Sequence, residues 1–313
     1  MESTTRLARM RAEVAAGLGA TPRTLPPTYF YDERGSGLFE EITRLPEYYP
    51  TRAERALLEE QAAPWLAASG ARSLVELGAG SAEKTRVLLD ALVSSGPGTV
   101  YAPLDVSAEF LAGTARRLDR AYDELEIRPI VADLTQGVPV DADLPRPMVV
   151  AFLGSTIGNF EHDEAVALLR AATRGFRPGD RLLLGADLKK EPARLNAAYN
   201  DAAGVTAEFN LNVLRVLNRE LGADFDVDAF RHHAFYDEAL GRIEMHLVAQ
   251  RDTTARIPQV GEYPFAEGDT IRTEISRKYD RAEIRSTLAE AGLVLDQWFE
   301  SPEGYALVVG RSA

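Results

Sequence analysis

The chain has 313 residues, 45% of them hydrophobic and 27% charged, which suffices for one large or two modest domains with ample core. Its net charge of −13 argues against a nucleic-acid substrate, which would call for a basic stripe against the phosphates, and none is visible. With no cysteine there is no disulfide framework, no thiolate metal site and no thiol nucleophile.

The opening residues, Met-Glu-Ser-Thr-Thr-Arg, lack an apolar signal region, and no run of apolar residues is long enough to span a bilayer. A cytoplasmic monomer with no membrane partner is expected. Residues 1–51 follow no regular period and carry Pro26-Pro27 and Pro46 among four tyrosines.

From 52 to 189, short apolar runs alternate with helix-length amphipathic segments, as in a parallel sheet wrapped by helices. Strands are expected at Ser73–Leu77, Thr99–Leu104, Ile127–Val131, Pro147–Leu153 and Arg181–Ala186. Helices are expected at Glu83–Val93, Ala108–Leu118 and Asp163–Thr173. An insertion at 190–278 has a different texture. Asn196–Ala203 and Thr206–Leu221 read as helices, and Ala234–Tyr236, Arg242–Gln250 and Thr270–Ser276 as strands. The alternating pattern then resumes. Asp280 caps a helix with Glu283 three residues on, Gly292 ends it, and Leu293–Phe299 and Tyr305–Gly310 form a terminal hairpin.

A parallel sheet that finishes in a hairpin must contain an antiparallel strand, which is the class I methyltransferase arrangement of a Rossmann-like α/β sheet. The expected domains are therefore 52–189 with 279–313 for the cofactor, and 1–51 with 190–278 as an inserted α+β substrate-binding domain. Both segments of the latter are expected over the carboxyl ends of the sheet, where open α/β folds bind ligands.

The chemistry begins at Ser73-Leu-Val-Glu-Leu-Gly-Ala-Gly-Ser81, a buried strand running into a Gly-x-Gly turn. Gly78 and Gly80 let the backbone turn tightly and approach a ligand closely. Glu83 stands where a dinucleotide fingerprint has its third glycine, and a carboxylate on that first helical turn would repel a pyrophosphate. Glu76, Asp105 and Asp133 lie at or just beyond successive strand ends, where acidic acceptors suit a ribose diol, an adenine amine and an α-ammonium group. S-adenosylmethionine, a phosphate-free sulfonium, is the cofactor this suggests. The bland alternative is that Asp105 and Asp133 only cap the helices that follow. Lys84 could reach the cofactor's carboxylate or could simply be solvated. After the fourth strand, Gly154-Ser-Thr-Ile-Gly-Asn159 makes a loop that can approach a small ligand, with Asn159 offering both a donor and an acceptor. The four histidines show no metal-ligand spacing, so no metal is expected.

Five segments carry a more specific resemblance: Leu45-Pro-Glu-Tyr-Tyr-Pro-Thr-Arg52, Val75-Glu-Leu-Gly-Ala-Gly80, Phe152-Leu-Gly-Ser-Thr-Ile-Gly-Asn159, Ala198-Tyr-Asn-Asp-Ala-Ala-Gly-Val-Thr206 and Thr273-Glu-Ile-Ser276. Together they resemble the histidine-specific Nα-methyltransferases of ergothioneine biosynthesis, over nearly the whole chain and including the insertion. The resemblance implies trimethylation of the α-amino group of L-histidine to hercynine. It implies cofactor contacts from Gly78, Lys84, Asp105, Asp133 and Leu134, to which the residue reading adds Glu76 and Gly80. It implies that Asn159 and Tyr199 hold the substrate carboxylate and that Tyr48, Glu274 and Ser276 hold the imidazole. Tyr31, Phe39, Gly154 and Met245 would line the same pocket, with Tyr31, Gly154 and Asn159 forming the catalytic set. One departure is Leu134, where the family carries phenylalanine, and this weakens stacking on adenine. Without the resemblance, Glu274 reads as a surface cross-strand partner. The alternative function is N-methylation of another amino acid or a natural-product amine.

Overall fold

The computed structural model describes residues 2–134, 137–140 and 143–313. The chain divides into two compact units, Pro50–Lys189 with Arg277–Ala313 and Met1–Tyr49 with Lys190–Ser276.

The first of these is built on one sheet. Its strands lie in the order Leu293–Glu300, Tyr305–Ser312, Arg181–Asp187, Met148–Phe152, Ser73–Leu77, Thr99–Asp105, Leu125–Ile127. The strand Tyr305–Ser312 runs antiparallel to both neighbours, whereas the pairs from Arg181–Asp187 to Leu125–Ile127 are parallel. This is the class I methyltransferase topology expected from the terminal hairpin. Every residue of Ser73–Leu77 is buried, as a central parallel strand covered on both faces must be. Alternation sends Val75 and Leu77 into one apolar layer and Leu74 into the other, where it joins Tyr101 and the Ala53 and Leu57 side chains of the helix Tyr49–Leu57.

Two expected elements differ. The third strand is split at Arg128-Pro129 into Leu125–Ile127 and Ile130–Val131, because proline removes a ladder donor. The helix expected from Glu83 begins at Arg86, since Ala82 takes φ +54° and the chain turns once more before winding. Asp280 and Glu283 do form the reciprocal cap, and Gly292 leaves the helix at φ +83°.

The other unit holds a four-stranded sheet in the order Arg23–Thr24, Thr270–Arg277, Arg242–Ala249, Phe230–Asp237. The helix Val205–Leu221 buries Phe209, Val213, Leu217 and Leu221 in this unit's core, and Glu2–Gly19 buries Met10, Val14 and Leu18 at a spacing of four. The insertion's first helix is Pro192–Tyr199 rather than Asn196–Ala203, because Pro192 supplies a preformed first turn. A hairpin of Thr253–Ile257 and Gly261–Phe265 completes the unit. Among the described residues, no helix is long and apolar enough to cross a membrane, and no group of three or more His, Asp or Glu is placed to hold a metal.

Candidate active site

The turn after Ser73–Leu77 is held open by its own backbone. Gly78 and Gly80 sit at φ +69° and +53°, and a Cβ built on either would meet no atom within 4 Å. The amides of Gly78 and Ala79 both donate to the Leu104 carbonyl, at 2.8 and 3.0 Å. The neighbouring strand end tightens the turn further. One Asp105 oxygen accepts the Gly80 amide at 2.9 Å and the other accepts the Ser107 amide at 3.0 Å. Asp105 therefore does cap the turn leading into the helix Ala108–Asp119, and the same carboxylate fixes the glycine turn. A carboxylate oxygen carries further lone pairs, so these bonds leave room for ligand hydroxyls. Asp133 is half-buried two residues past Val131, the register partner of Asp105, and the Ala132 amide donates to the Asp105 carbonyl at 3.0 Å. Leu134 packs against the core beside it. The open Gly78–Gly80 turn held by Asp105, with Asp133 two residues beyond the partner strand, fits S-adenosylmethionine, a phosphate-free cation.

Glu76 does not stand with them. Its side chain is 1% exposed, and its two oxygens accept the hydroxyls of Thr85, at 2.7 Å, and Tyr101. It is a core group that ties two strands to the turn, where the sequence leads us to expect a cofactor acceptor. Burial raises its pKa to about 7, opposed by the Tyr101 and Thr85 hydrogen bonds. The folded state thus holds this proton where the unfolded chain has lost it. Stability from Glu76 is complete below pH 4.5 and declines as pH rises through about 7. Glu76→Gln should remove that decline, on the order of 3 kcal/mol. Calorimetric melting temperatures at pH 5 and 7.5 test this; parallel behaviour of variant and wild type would refute it. Glu83 precedes the helix and pairs with Arg117 at 3.6 Å.

Lys84 is not a solvated lysine. Its ammonium lies 2.5 Å from Glu54 and above Gly154, close enough that a Cβ there would come within 3.0 Å of it. The Gly154–Asn159 loop is pinned along its length. Gly154 and Ser155 adopt φ +77° and +55°, and the Ser155 hydroxyl accepts the Asp187 amide at 2.9 Å. The Tyr279 hydroxyl donates to the Ile157 carbonyl at 3.2 Å, and Gly158 lies so near the Arg277 backbone that a Cβ would approach its carbonyl to 2.8 Å. Asn159 ends this loop, half-buried.

The other unit gathers the aromatic residues singled out above. Tyr31 meets Phe39 edge to face at 5.8 Å, Phe39 meets Tyr48 at 6.5 Å, and Tyr48 meets Tyr199 at 6.2 Å. The Tyr199 hydroxyl then donates to Ser276 at 2.8 Å. Glu274 and Ser276 are alternate residues of the strand Thr270–Arg277 and share one of its faces. Met245 lies in the same core, its carbonyl accepting the Thr273 hydroxyl at 3.1 Å on that strand. Beneath Tyr199, His232 holds the Tyr199 carbonyl at 2.8 Å and Asn210 at 2.8 Å, while His233 points to the opposite face and stacks on Phe235. Burial lowers the His232 pKa, which suits a neutral imidazole bridging two partners.

Glu54 was not foreseen from the sequence. A signal existed: it shares a helical face with Leu57 and Leu58, both buried, and a carboxylate on an apolar face implies buried partners.

Known proteins resemble this chain over nearly its full length. The family described as histidine-specific methyltransferase, SAM-dependent, matches residues 10–311. The histidine N-alpha-methyltransferase of Mycolicibacterium smegmatis is 45% identical over 94% of this chain and 92% of its own. Ergothioneine biosynthesis protein 1 of Neurospora crassa is 34% identical over 87% of this chain but only 31% of its own, and the L-tryptophan methyltransferase trpM of Psilocybe serbica is 30% identical over 97% and 93%. With a match that runs through the insertion as well as the sheet, the chain belongs to the family of histidine-specific, SAM-dependent methyltransferases.

Proposed function

We propose that the protein transfers three methyl groups in succession to the α-amino nitrogen of L-histidine, yielding hercynine. The observation that supports this most is the aromatic series Tyr31, Phe39, Tyr48 and Tyr199, which ends on Ser276 beside the Glu274 carboxylate. A neutral imidazole has one N–H and one lone-pair nitrogen, so reading it takes an acceptor and a donor. Glu274 is the acceptor. A hydroxyl both donates and accepts, so Ser276 accepts the Tyr199 hydroxyl here and, once that proton turns to the substrate carboxylate, still has its own to present to the ring.

S-adenosylmethionine supplies a methyl group activated on a sulfonium. The residues themselves need no nucleophile, because direct displacement asks for orientation, an unprotonated amine and exclusion of water. Asn159 and Tyr199 are assigned to the substrate carboxylate, whose capture fixes the α-nitrogen. Gly154, exposed and bordered by the Lys84 ammonium, is assigned to the wall of the pocket that takes the amine as it grows with each transfer. The faces of Tyr31 and Tyr48 suit the charge that the nitrogen carries once quaternised.

The tryptophan methyltransferase relative makes the acceptor the point to test. Purified protein with S-adenosylmethionine and a panel of free amino acids, L-tryptophan included, is to be followed by mass spectrometry. Histidine should gain one, two and then three methyl groups. An untouched histidine alongside a methylated tryptophan or other amine would replace this reading with the alternative acceptor.

A further inference from the structure

Glu54 lies at the centre of a built polar slot. It comes from the helix Tyr49–Leu57, its side chain is 1% exposed, and its two oxygens have different partners. Oε2 meets the Lys84 ammonium at 2.5 Å. Oε1 accepts the Gly154 amide at 2.6 Å and the Tyr305 hydroxyl at 2.6 Å. Room for the carboxylate exists because residue 185 is glycine: a Cβ there would collide with Oε1 and come within 2.6 Å of the Tyr305 oxygen. A helix, two loops and the last strand thus converge on one side chain.

The two oxygens serve two sides of one reaction. Lys84 is 26% exposed, so its ammonium has a buried face on Glu54 and an outer face toward solvent. Lysine is flexible, and a carboxylate behind it fixes where the outer N–H groups point. Gly154 opens the loop that ends at Asn159, with both Gly154 and Ser155 in left-handed conformations that need an external hold on the backbone. We propose that Glu54 is a positioning residue, which aims Lys84 at the carboxylate of the methyl donor and through Gly154 sets the loop that carries Asn159. This rests on the reading of Lys84 and Asn159 given above. A helix anchor with no part in binding would need only one of these bonds. Here the anion takes both the lysine and the loop, at comparable distances.

Binding of S-adenosylhomocysteine, measured by calorimetry with no acceptor amine, provides the test. Glu54→Gln should weaken it about 10-fold or more, since an amide N–H₂ faces the ammonium in place of an anion. Lys84→Met should cost a similar factor, and the double variant no more than about 2-fold beyond the worse single, because one residue acts through the other. Glu54→Gln should also weaken histidine binding, whereas Lys84→Met should not. Wild-type affinity in Glu54→Gln, or losses that multiply in the double variant, would overturn the proposal. Should Glu54→Gln fail to fold, Glu54→Asp keeps the charge and withdraws it by one methylene. It is expected to weaken the same ligand about 5-fold, and wild-type affinity there would equally overturn the idea. A wild-type protein that binds S-adenosylhomocysteine but leaves histidine unmethylated would refute the acceptor, not Glu54.

Discussion

Replacing Glu274 by alanine is expected to lower kcat/KM for histidine by about 10²- to 10³-fold, with the affinity for S-adenosylhomocysteine unchanged. The size follows from what is left behind. A ring N–H taken out of water without an acceptor costs about 1–3 kcal/mol, and the lost acceptor is charged, which places the effect at about 3–4 kcal/mol. Discrimination of this kind is strongest where a site hydrogen-bonds its substrate, because analogues lacking the group strand a buried partner. Glu274 is half-buried on its strand and shares a face with Ser276, whose hydroxyl is already engaged by Tyr199 at 2.8 Å. Steady-state kinetics with histidine and calorimetry with S-adenosylhomocysteine separate the two halves of the expectation. An unchanged kcat/KM would remove Glu274 from ring recognition, and a parallel loss of cofactor affinity would make it a structural residue.

Asp105→Ala should produce the converse pattern, with the Kd for S-adenosylhomocysteine raised about 10²-fold and the histidine KM at saturating cofactor changed little. Both carboxylate oxygens accept backbone amides, one from Gly80 and one from Ser107. Alanine withdraws those acceptors together with the one Asp105 would offer to ligand hydroxyls. The Gly78–Gly80 turn then loses the contact that holds Gly80 at φ +53°. Two effects therefore act in one direction, a lost ligand bond and a loosened cradle. Calorimetry distinguishes the outcomes, and a change below about 3-fold would place Asp105 among residues that only cap the turn.

Much of this was legible in the sequence because central parallel strands leave a distinctive trace. Ser73–Leu77 is a short apolar run bounded by turn residues, and its observed limits are the expected ones. The terminal hairpin was legible for the same reason, through Ser301-Pro-Glu-Gly304 between two apolar runs. Less visible were elements whose stability comes from distant partners. The hairpin Thr253–Ile257 with Gly261–Phe265 is short, opens its second strand on Gly261 and contains Pro264, so local propensity argues against it. The start of the helix at Arg86 depends on a positive φ at an alanine, which no propensity scale anticipates.

The site divides along the same line. Glycines and acidic strand ends announce a ligand, but a pattern cannot say which carboxylate faces it. Glu76 and Asp105 read alike in the sequence. One is sealed beneath Tyr101 and Thr85, while the other organises the open turn. Glu274 and Ser276 were singled out only through family resemblance, since a half-buried carboxylate on a strand has many ordinary uses.

The strand Tyr305–Ser312 lies inside its sheet, between Leu293–Glu300 and Arg181–Asp187, and carries the hydroxyl that reaches Glu54. During synthesis on the ribosome the inner edge of Arg181–Asp187 therefore waits, unpaired, for more than a hundred later residues to emerge. A nascent chain stalled short of that strand would present an adhesive apolar edge and an unfinished polar slot at once. Maturation of the methyl-donor half is thus bound to the arrival of the strand Tyr305–Ser312.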